Sequence, residues 1–169
     1  MNRVRRHAFV AALLLALGVG TAGTPGTRAQ DFLTDQPQLP QDAKLITDPD
    51  VLRDLLTDRT VHATYLPDGS NWREFSASDG RTIWDEGTCI RPGTWRISGS
   101  VVCYTYPSWD DGRPQCFVVY SSAEATHFVV LDSATGERYL VSNAYEIVDG
   151  NPDNLPLDAT KPLCNDVNA

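Results

Sequence analysis

The sequence predicts an all-β domain, a small antiparallel up-and-down barrel of about eight strands with one short N-terminal helix. Eight short runs of strand-like residues follow one another between Thr60 and Val141. Turn signals rich in Gly, Pro and Asp separate these runs at regular, short spacing. An open sheet of this length would expose two edges, and closure into a barrel removes both. A two-sheet sandwich is the alternative that fits the same pattern.

The first 29 residues have the pattern of a secretory signal peptide. Residues 1–7 are basic, and residues 8–19 form an apolar run that is shorter than the roughly twenty residues of a transmembrane helix. We expect cleavage after Ala29, with sites near Ala22 or Gly23 as alternatives. The mature protein is then predicted to be periplasmic or secreted, with no membrane insertion after cleavage.

Two further segments precede the strands. Residues 30–46 are predicted to form a flexible leader, because their prolines and polar residues leave no apolar face. Residues 47–169 form the predicted disulfide-bonded barrel domain. It begins with a short amphipathic helix, for which residues 47–50 offer a capping side chain, a proline at the first helical position and acidic residues in the first turn. We expect this helix to cover one end of the barrel.

The eight strands are predicted from runs rich in β-branched and aromatic residues. An eight-stranded barrel has an interior that side chains fill or that holds one small ligand. Most of the aromatic residues are expected to pack in this interior, with Trp95 at its base. The predicted strands are residues 61–65, 72–77, 81–85, 94–98, 101–106, 115–120, 127–131 and 138–141.

Four cysteines, all in the predicted mature chain, indicate two disulfides in an oxidising compartment. Four cysteines allow three pairings. Sequence alone does not choose among them, but if Tyr106 faces Arg113 across the hairpin closed by residues 107–114, Cys103 lies opposite Cys116 at disulfide range, and such a link is worth about 3 kcal/mol. Cys89 would then pair with Cys164 and hold the C-terminal tail against the barrel. A zinc site is the alternative, but it requires more closely spaced cysteine pairs.

The net charge of the chain limits the classes of molecule that it can bind. Four of the fourteen Lys and Arg precede residue 30, and none of the twenty-two Asp and Glu does, so the predicted mature chain carries ten basic and twenty-two acidic residues, a net charge of −12. Such a field repels nucleic acid and anionic lipid. We therefore expect a monomer whose partner is an unknown small molecule or protein. The sequence has no phosphate loop, nucleophile elbow or dinucleotide fingerprint, so no cofactor is predicted.

The histidines and carboxylates are the remaining candidates for a metal site or for catalysis. His62 and His127 are the only histidines of the predicted mature chain and are interpreted as surface or hydrogen-bonded side chains. The acidic pairs at residues 85–86 and 110–111 are interpreted as solvated charge, because neighbours on a strand point to opposite faces. Residues 149–153 resemble the first half of a calcium loop but lack its remaining ligands. No metal site is predicted.

Four short motifs occur in a fixed order along the chain: Gly93-Thr94-Trp95, Cys103-Tyr104, Cys116 and Gly150-Asn151-Pro152. This order resembles a family of small exported proteobacterial proteins of unknown function, whose barrels are loosely similar to those of lipocalins and avidins. The resemblance covers residues 60–155. It implies a lipocalin-like barrel and no particular activity.

The function predicted from these observations is an exported, non-enzymatic binding or envelope-associated module of unknown ligand. The alternatives are a secreted hydrolase with a His/carboxylate pocket and a purely structural periplasmic protein. Small-molecule binding requires an open apolar lumen, whereas protein binding requires a filled lumen and an exposed patch near Trp109 or on the arm formed by residues 30–44. No catalytic residue is predicted. The candidate binding residues are Trp109, Tyr104, Tyr106 and Trp84.

Overall fold

The structure, a computed structural model, describes residues 38–131, 137–157 and 164. The predicted signal peptide, residues 30–37 of the predicted leader and the turn predicted at residues 132–136 lie outside the described residues. The described chain is mostly β-structure with one short α-helix. Its elements are β1 (Lys44–Leu45), α1 (Pro49–Leu56), β2 (Arg59–Tyr65), β3 (Asn71–Ser76), β4 (Arg81–Asp85), β5 (Ile90–Ser98), β6 (Val101–Thr105), β7 (Gln115–Ser121), β8 (Thr126–Leu131) and β9 (Arg138–Asp149).

Strands β2 to β9 form a closed antiparallel barrel of eight strands. Each strand pairs with the next one along the chain, and β9 pairs with β2 to close the sheet. The barrel prediction is confirmed, and the sandwich alternative is wrong. Because the strands alternate in direction, the β2–β3, β4–β5 and β6–β7 connections lie at one end of the barrel, which we call the mouth.

Helix α1 lies at the opposite end and begins where the sequence predicts. The Asp48 carboxylate accepts a hydrogen bond from the Asp50 amide at 2.9 Å, and Pro49 occupies the first turn. Leu52 and Leu56 are fully buried and join the main core cluster inside the barrel. The apolar face of α1 therefore contributes to the core at this end.

Alternation along the strands separates an inner face from an outer face. Inward-facing residues form the main core cluster together with α1. On the outer face, Phe75, Ile83 and Ile90 are covered by Leu155 of the C-terminal tail. A second outer cluster combines residues of β7, β8 and β9 with Leu39. Segments from both ends of the described chain thus shield apolar patches on the outside of the barrel.

Strand β1 is an element that the sequence analysis did not predict. It lies in the predicted leader and pairs Lys44 with Ser121 and Leu45 with Tyr120 of β7. Strand β6 pairs with β7 only as far as Val118, so the last residues of β7 would otherwise leave backbone groups without partners on that side. Two residues are too short a run to show strand periodicity, and β1 forms because this edge is available.

Both disulfides form with the predicted pairing. Cys103 of β6 lies opposite Cys116 of β7, with Cα atoms 4.1 Å apart. Cys89, in the β4–β5 connection at the mouth, is bonded to Cys164 of the tail. Within the described part of the chain, no helix has the length and apolar character needed to cross a bilayer.

Candidate functional site

A cavity of about 190 Å³ lies inside the barrel. Nine of the fourteen described residues that line it are aromatic, and they include three of the four tryptophans of the chain. The aromatic side chains are brought together by alternation, because residues two apart on one strand face the same side of a sheet. Tyr104 and Tyr106 enter from β6 and its end, Trp72 from β3, and Trp84 from β4.

A second, more polar cavity of about 360 Å³ adjoins the first at the mouth. Four residues line both cavities: Tyr65, Trp72, Trp84 and Trp109. The polar lining of the outer cavity includes Asp68 of the β2–β3 connection, Glu86 of the β4–β5 connection and Arg91 of β5. The lumen thus continues into a charged vestibule at the mouth.

Trp109 lines both the lumen and the vestibule. It precedes a single 3-10 turn, Asp110–Gly112, in the β6–β7 connection and packs back against the core. Its ring centroid lies 4.9 Å from that of Trp84 and 5.9 Å from that of Tyr106. The Arg91 guanidinium lies 5.6 Å from the rings of both Trp84 and Trp109, and its Nε donates to Glu86 at 3.0 Å.

Glu74 is the carboxylic acid among the described residues that line the lumen. It faces inward from β3 and is 5 % exposed. Its Oε1 accepts hydrogen bonds from Thr82 Oγ1, at 2.7 Å, and from the Tyr106 hydroxyl. Among the residues that the structure describes, no donor lies within hydrogen-bonding distance of Oε2. Because the side chain points into the barrel, the small surface that it retains faces the lumen.

Burial changes the acid–base properties of this group. Desolvation raises the pKa of Glu74 to about 7, although the hydrogen bonds from Tyr106 and Thr82 act in the opposite direction. Burial, followed by the nearby charge of Glu74, raises the pKa values of Tyr104 and Tyr106 well above their usual range. Near neutral pH, both phenols are therefore neutral and the Glu74 carboxyl is divided between its two protonation states.

The polar atoms around Glu74 are incompletely satisfied. Trp84 Nε1 has no hydrogen-bond partner among the described residues, and the hydroxyls of Ser76 and Tyr104 make only a weak contact with each other. An unpaired buried group costs about 1–3 kcal/mol, and buried polar atoms in folded proteins are normally paired. These polar atoms therefore lower the stability of the inner wall.

Gly93 of β5 makes room for the Tyr106 ring. A Cβ atom at this position would lie 2.5 Å from the Thr105 carbonyl oxygen and 2.6 Å from Tyr106 Cδ1. The backbone of Gly93 therefore permits the close approach that brings the Tyr106 hydroxyl to Glu74. Trp95, two residues later, packs against the core at the helix end of the barrel and donates to the Ala77 carbonyl at 2.8 Å.

All four candidate binding residues, Trp109, Tyr104, Tyr106 and Trp84, line the lumen. Trp109 packs back onto the barrel instead of presenting an exposed anchor. Glu74 is not among the site residues predicted from the sequence. The sequence pattern that could have identified it is the alternation of Trp72, Glu74 and Ser76, which places an acidic residue on the same face of the strand as a core tryptophan.

A chain of charged residues crosses the outer face of the barrel. His62 faces outward, as predicted, and its ring nitrogens contact Glu146 at 2.9 Å and Asp153 at 2.6 Å. Arg73 joins Asp153 to Asp85, whose Oδ2 accepts from Arg73 Nη2 at 2.6 Å. The interpretation of Asp85 as solvated charge is wrong. Its side chain is fully buried, because Arg73 and the Gly87 amide supply its hydrogen-bond partners.

The remaining groups considered for metal or catalysis take part in local hydrogen bonds. His127 is buried and contacts Asn143 at 2.6 Å and Ser122 at 2.9 Å. Asn151 exchanges two hydrogen bonds with the backbone of Leu155, and this turn begins the tail. Asp149 is paired with Arg59. These hydrogen bonds and this ion pair give the residues structural roles in the outer wall of the barrel and in its turns.

Comparison with protein-family models, with curated proteins and with solved structures finds no match for this chain.

Proposed function

We propose that this protein binds a small molecule in the lumen of its barrel and catalyses no reaction. The observation that carries the proposal is the aromatic cavity of about 190 Å³ with a buried carboxyl group in its wall. Binding sites for small molecules are concave and mostly apolar, with a few placed polar groups, and this lumen has that composition. A protein-binding module would instead have a filled lumen and an exposed patch at Trp109 or on residues 30–44, and of these two places Trp109 packs inward.

The arrangement of the histidines gives less support to the hydrolase alternative. His62 contacts two carboxylates, as that alternative requires, but it does so on the outer face of the barrel. Among the described residues, no histidine lines the lumen or the vestibule. A substrate held in the lumen would therefore be separated from His62 by the barrel wall.

The same proposal includes export to the periplasm or the medium. Two disulfides favour an oxidising compartment. Intact-mass analysis of the protein collected outside the cytoplasm should find a chain that begins at Gln30. A full-length chain that begins at Met1 in that fraction would contradict cleavage of a signal peptide.

Native mass spectrometry of the protein isolated from its own cells or medium tests the binding proposal. We expect one small molecule per chain. The variant Val130→Phe adds a ring to the lumen and should lose this molecule, because Val130 lines the cavity. The matched control Val51→Phe makes the same change on the exposed surface of α1 and should retain it.

Two outcomes would contradict binding in the lumen. One is a bound molecule that Val130→Phe and Val51→Phe retain equally. The other is a bare wild-type chain that also fails to bind any small aromatic compound added in solution.

A further inference from the structure

Glu74 and the aromatic wall together indicate a chemical class of ligand. Building on the proposed lumen function, we propose that the ligand is a small protonated amine, with its cationic nitrogen at Glu74 Oε2 and its apolar part among the aromatic side chains. The structure provides a hydrogen-bond acceptor, aromatic surroundings that stabilise a cation, and a limited volume. Each of these three features restricts the chemistry or the size of the ligand.

The first restriction is the acceptor. An ionised carboxylate accepts hydrogen bonds and donates none. Thr82 and Tyr106 both donate to Oε1, and no described donor reaches Oε2. A ligand that satisfies Oε2 must therefore bring its own donor, and a charged N–H group makes a shorter and stronger hydrogen bond to a carboxylate than a neutral donor does.

The second restriction is the surround of the carboxyl group. Aromatic faces attract cations, and a desolvated contact of this kind is worth about 2 kcal/mol. Trp72, Trp84, Tyr104 and Tyr106 line the same cavity as Glu74. An anionic ligand would meet both the negative faces of these rings and the negative charge of Glu74. The full chain, with a net charge of −8, also attracts cations from solution.

The third restriction is size. The lumen measures about 190 Å³, and apolar cavities of about 150 Å³ in proteins hold benzene. The lumen thus has room for one six-membered ring with a short arm. Phenethylamine has this size and carries a protonated amine, 2-phenylethanol replaces the amine with a neutral hydroxyl, and phenylacetate carries a negative charge.

Isothermal titration calorimetry with these three compounds at pH 8 tests the proposal. We expect phenethylamine to bind at least about tenfold more tightly than 2-phenylethanol, and phenylacetate to bind most weakly. The variant Glu74→Gln keeps an oxygen that can accept from Thr82 and Tyr106 but replaces Oε2 with an amide NH₂. It should abolish the preference for the amine and leave the affinity for 2-phenylethanol within about twofold.

The affinity for the amine should also depend on pH. Tyr104 of β6 and Tyr106, one residue beyond that strand, face Glu74 across the lumen, and their raised pKa values keep both phenols neutral between pH 6 and 8. Tyr65, whose pKa is also raised, and Tyr139 line the same cavity, and the Arg91 guanidinium at the mouth stays charged. Glu74, with its pKa raised to about 7, is the facing group that titrates in this range. The amine should bind more weakly at pH 6 than at pH 8, by up to about tenfold. The affinity for 2-phenylethanol should lack this decrease.

The control is Glu124→Gln, which removes a negative charge from an exposed turn. It should change the affinity for phenethylamine by less than about twofold. If 2-phenylethanol or phenylacetate binds as tightly as phenethylamine, or more tightly, the amine proposal is overturned and binding in the lumen is left intact. A preference for the amine that survives in Glu74→Gln would overturn the role of Glu74.

A complete absence of binding by the three compounds up to about 10 mM would also overturn the amine proposal. Binding in the lumen would then stand only if native mass spectrometry finds a molecule that Val130→Phe displaces. The titrations therefore test the class of ligand, whereas native mass spectrometry with Val130→Phe tests whether the lumen binds a ligand.

Discussion

Glu74 is buried at the inner wall of the barrel, with no cationic partner in the part of the chain that the structure describes, and this placement affects the stability of the whole fold. Its pKa rises from 4.5 to about 7 on folding, so the folded state holds the proton more tightly than the unfolded chain does. The contribution of Glu74 to the free energy of unfolding is therefore greatest below pH 4.5 and is lost as the pH rises through 7. A shift of this size corresponds to a loss of the order of 3 kcal/mol.

Urea denaturation at several pH values between 4.5 and 8 checks this prediction. The wild-type protein should lose stability relative to Glu74→Gln as the pH rises, because the variant has no carboxyl group to ionise in the wall. Glu124→Gln should follow the wild type. Parallel curves for the wild type and Glu74→Gln would show that Glu74 is ionised freely in the folded protein.

The sequence predicts which aromatic residues surround the lumen better than it predicts the polar residues there. Tyr104, Tyr106 and Trp84 alternate within strong strand patterns, so their common face follows from periodicity. Glu74 has the same alternation, but an acidic residue on an inner face is rare enough that composition argues against it. The burial of Asp85 depends on Arg73 of the neighbouring strand, and such a contact follows only from the strand register.

At the scale of a single strand, Gly93 links the backbone of β5 to the site. We expect Gly93→Ala to lower the free energy of unfolding by about 1–3 kcal/mol, because the added Cβ would overlap the Thr105 carbonyl and the Tyr106 ring. Displacement of Tyr106 would also remove a donor from Glu74 and raise the pKa of its carboxyl group further.

Urea denaturation measures the loss of stability, and NMR titration of the Glu74 side-chain carboxyl carbon measures its pKa. Thr94→Ala is the matched control, because Thr94 is the next residue on β5 and is exposed. Wild-type stability in Gly93→Ala would mean that the Tyr106 ring has other space to occupy.

The elements differ in how well local sequence determines them. Helix α1 and the eight barrel strands carry their own signals, in capping residues, apolar periodicity and turn residues. Strand β1 does not, because its two residues are ordered by an edge of β7 that is distant in sequence. The cover that Leu155 gives to Phe75 and Ile83 is missed for the same reason, since it arises from the path of the tail.

At the scale of the whole molecule, the two disulfides close loops of different length. Cys103 and Cys116 are 13 residues apart, and Cys89 and Cys164 are 75 residues apart. In the chain-entropy model these separations correspond to about 3 and about 4.5 kcal/mol. We expect replacement of the longer link by two serines to cause the larger loss of stability, since it also frees the tail that carries Leu155.

Urea denaturation of the two double-serine variants, under conditions that keep the remaining disulfide intact, checks this order. The fully reduced wild-type chain provides the lower limit of stability. A larger loss for the Cys103–Cys116 pair would contradict the expectation and would mean that the hairpin depends on its link more than the tail does.

The placement of the tryptophans has a spectroscopic consequence. Trp72, Trp84 and Trp109 surround the lumen, with centroid distances of 6.1 Å from Trp72 to Trp84 and 4.9 Å from Trp84 to Trp109. Indoles this close share their excited states, so they should give an exciton pair in circular dichroism. Trp95, at the far end of the barrel, provides an internal reference. A molecule entering the lumen would alter the light absorbed and emitted by three indoles while the fourth stays unchanged, so occupancy can be followed without any label.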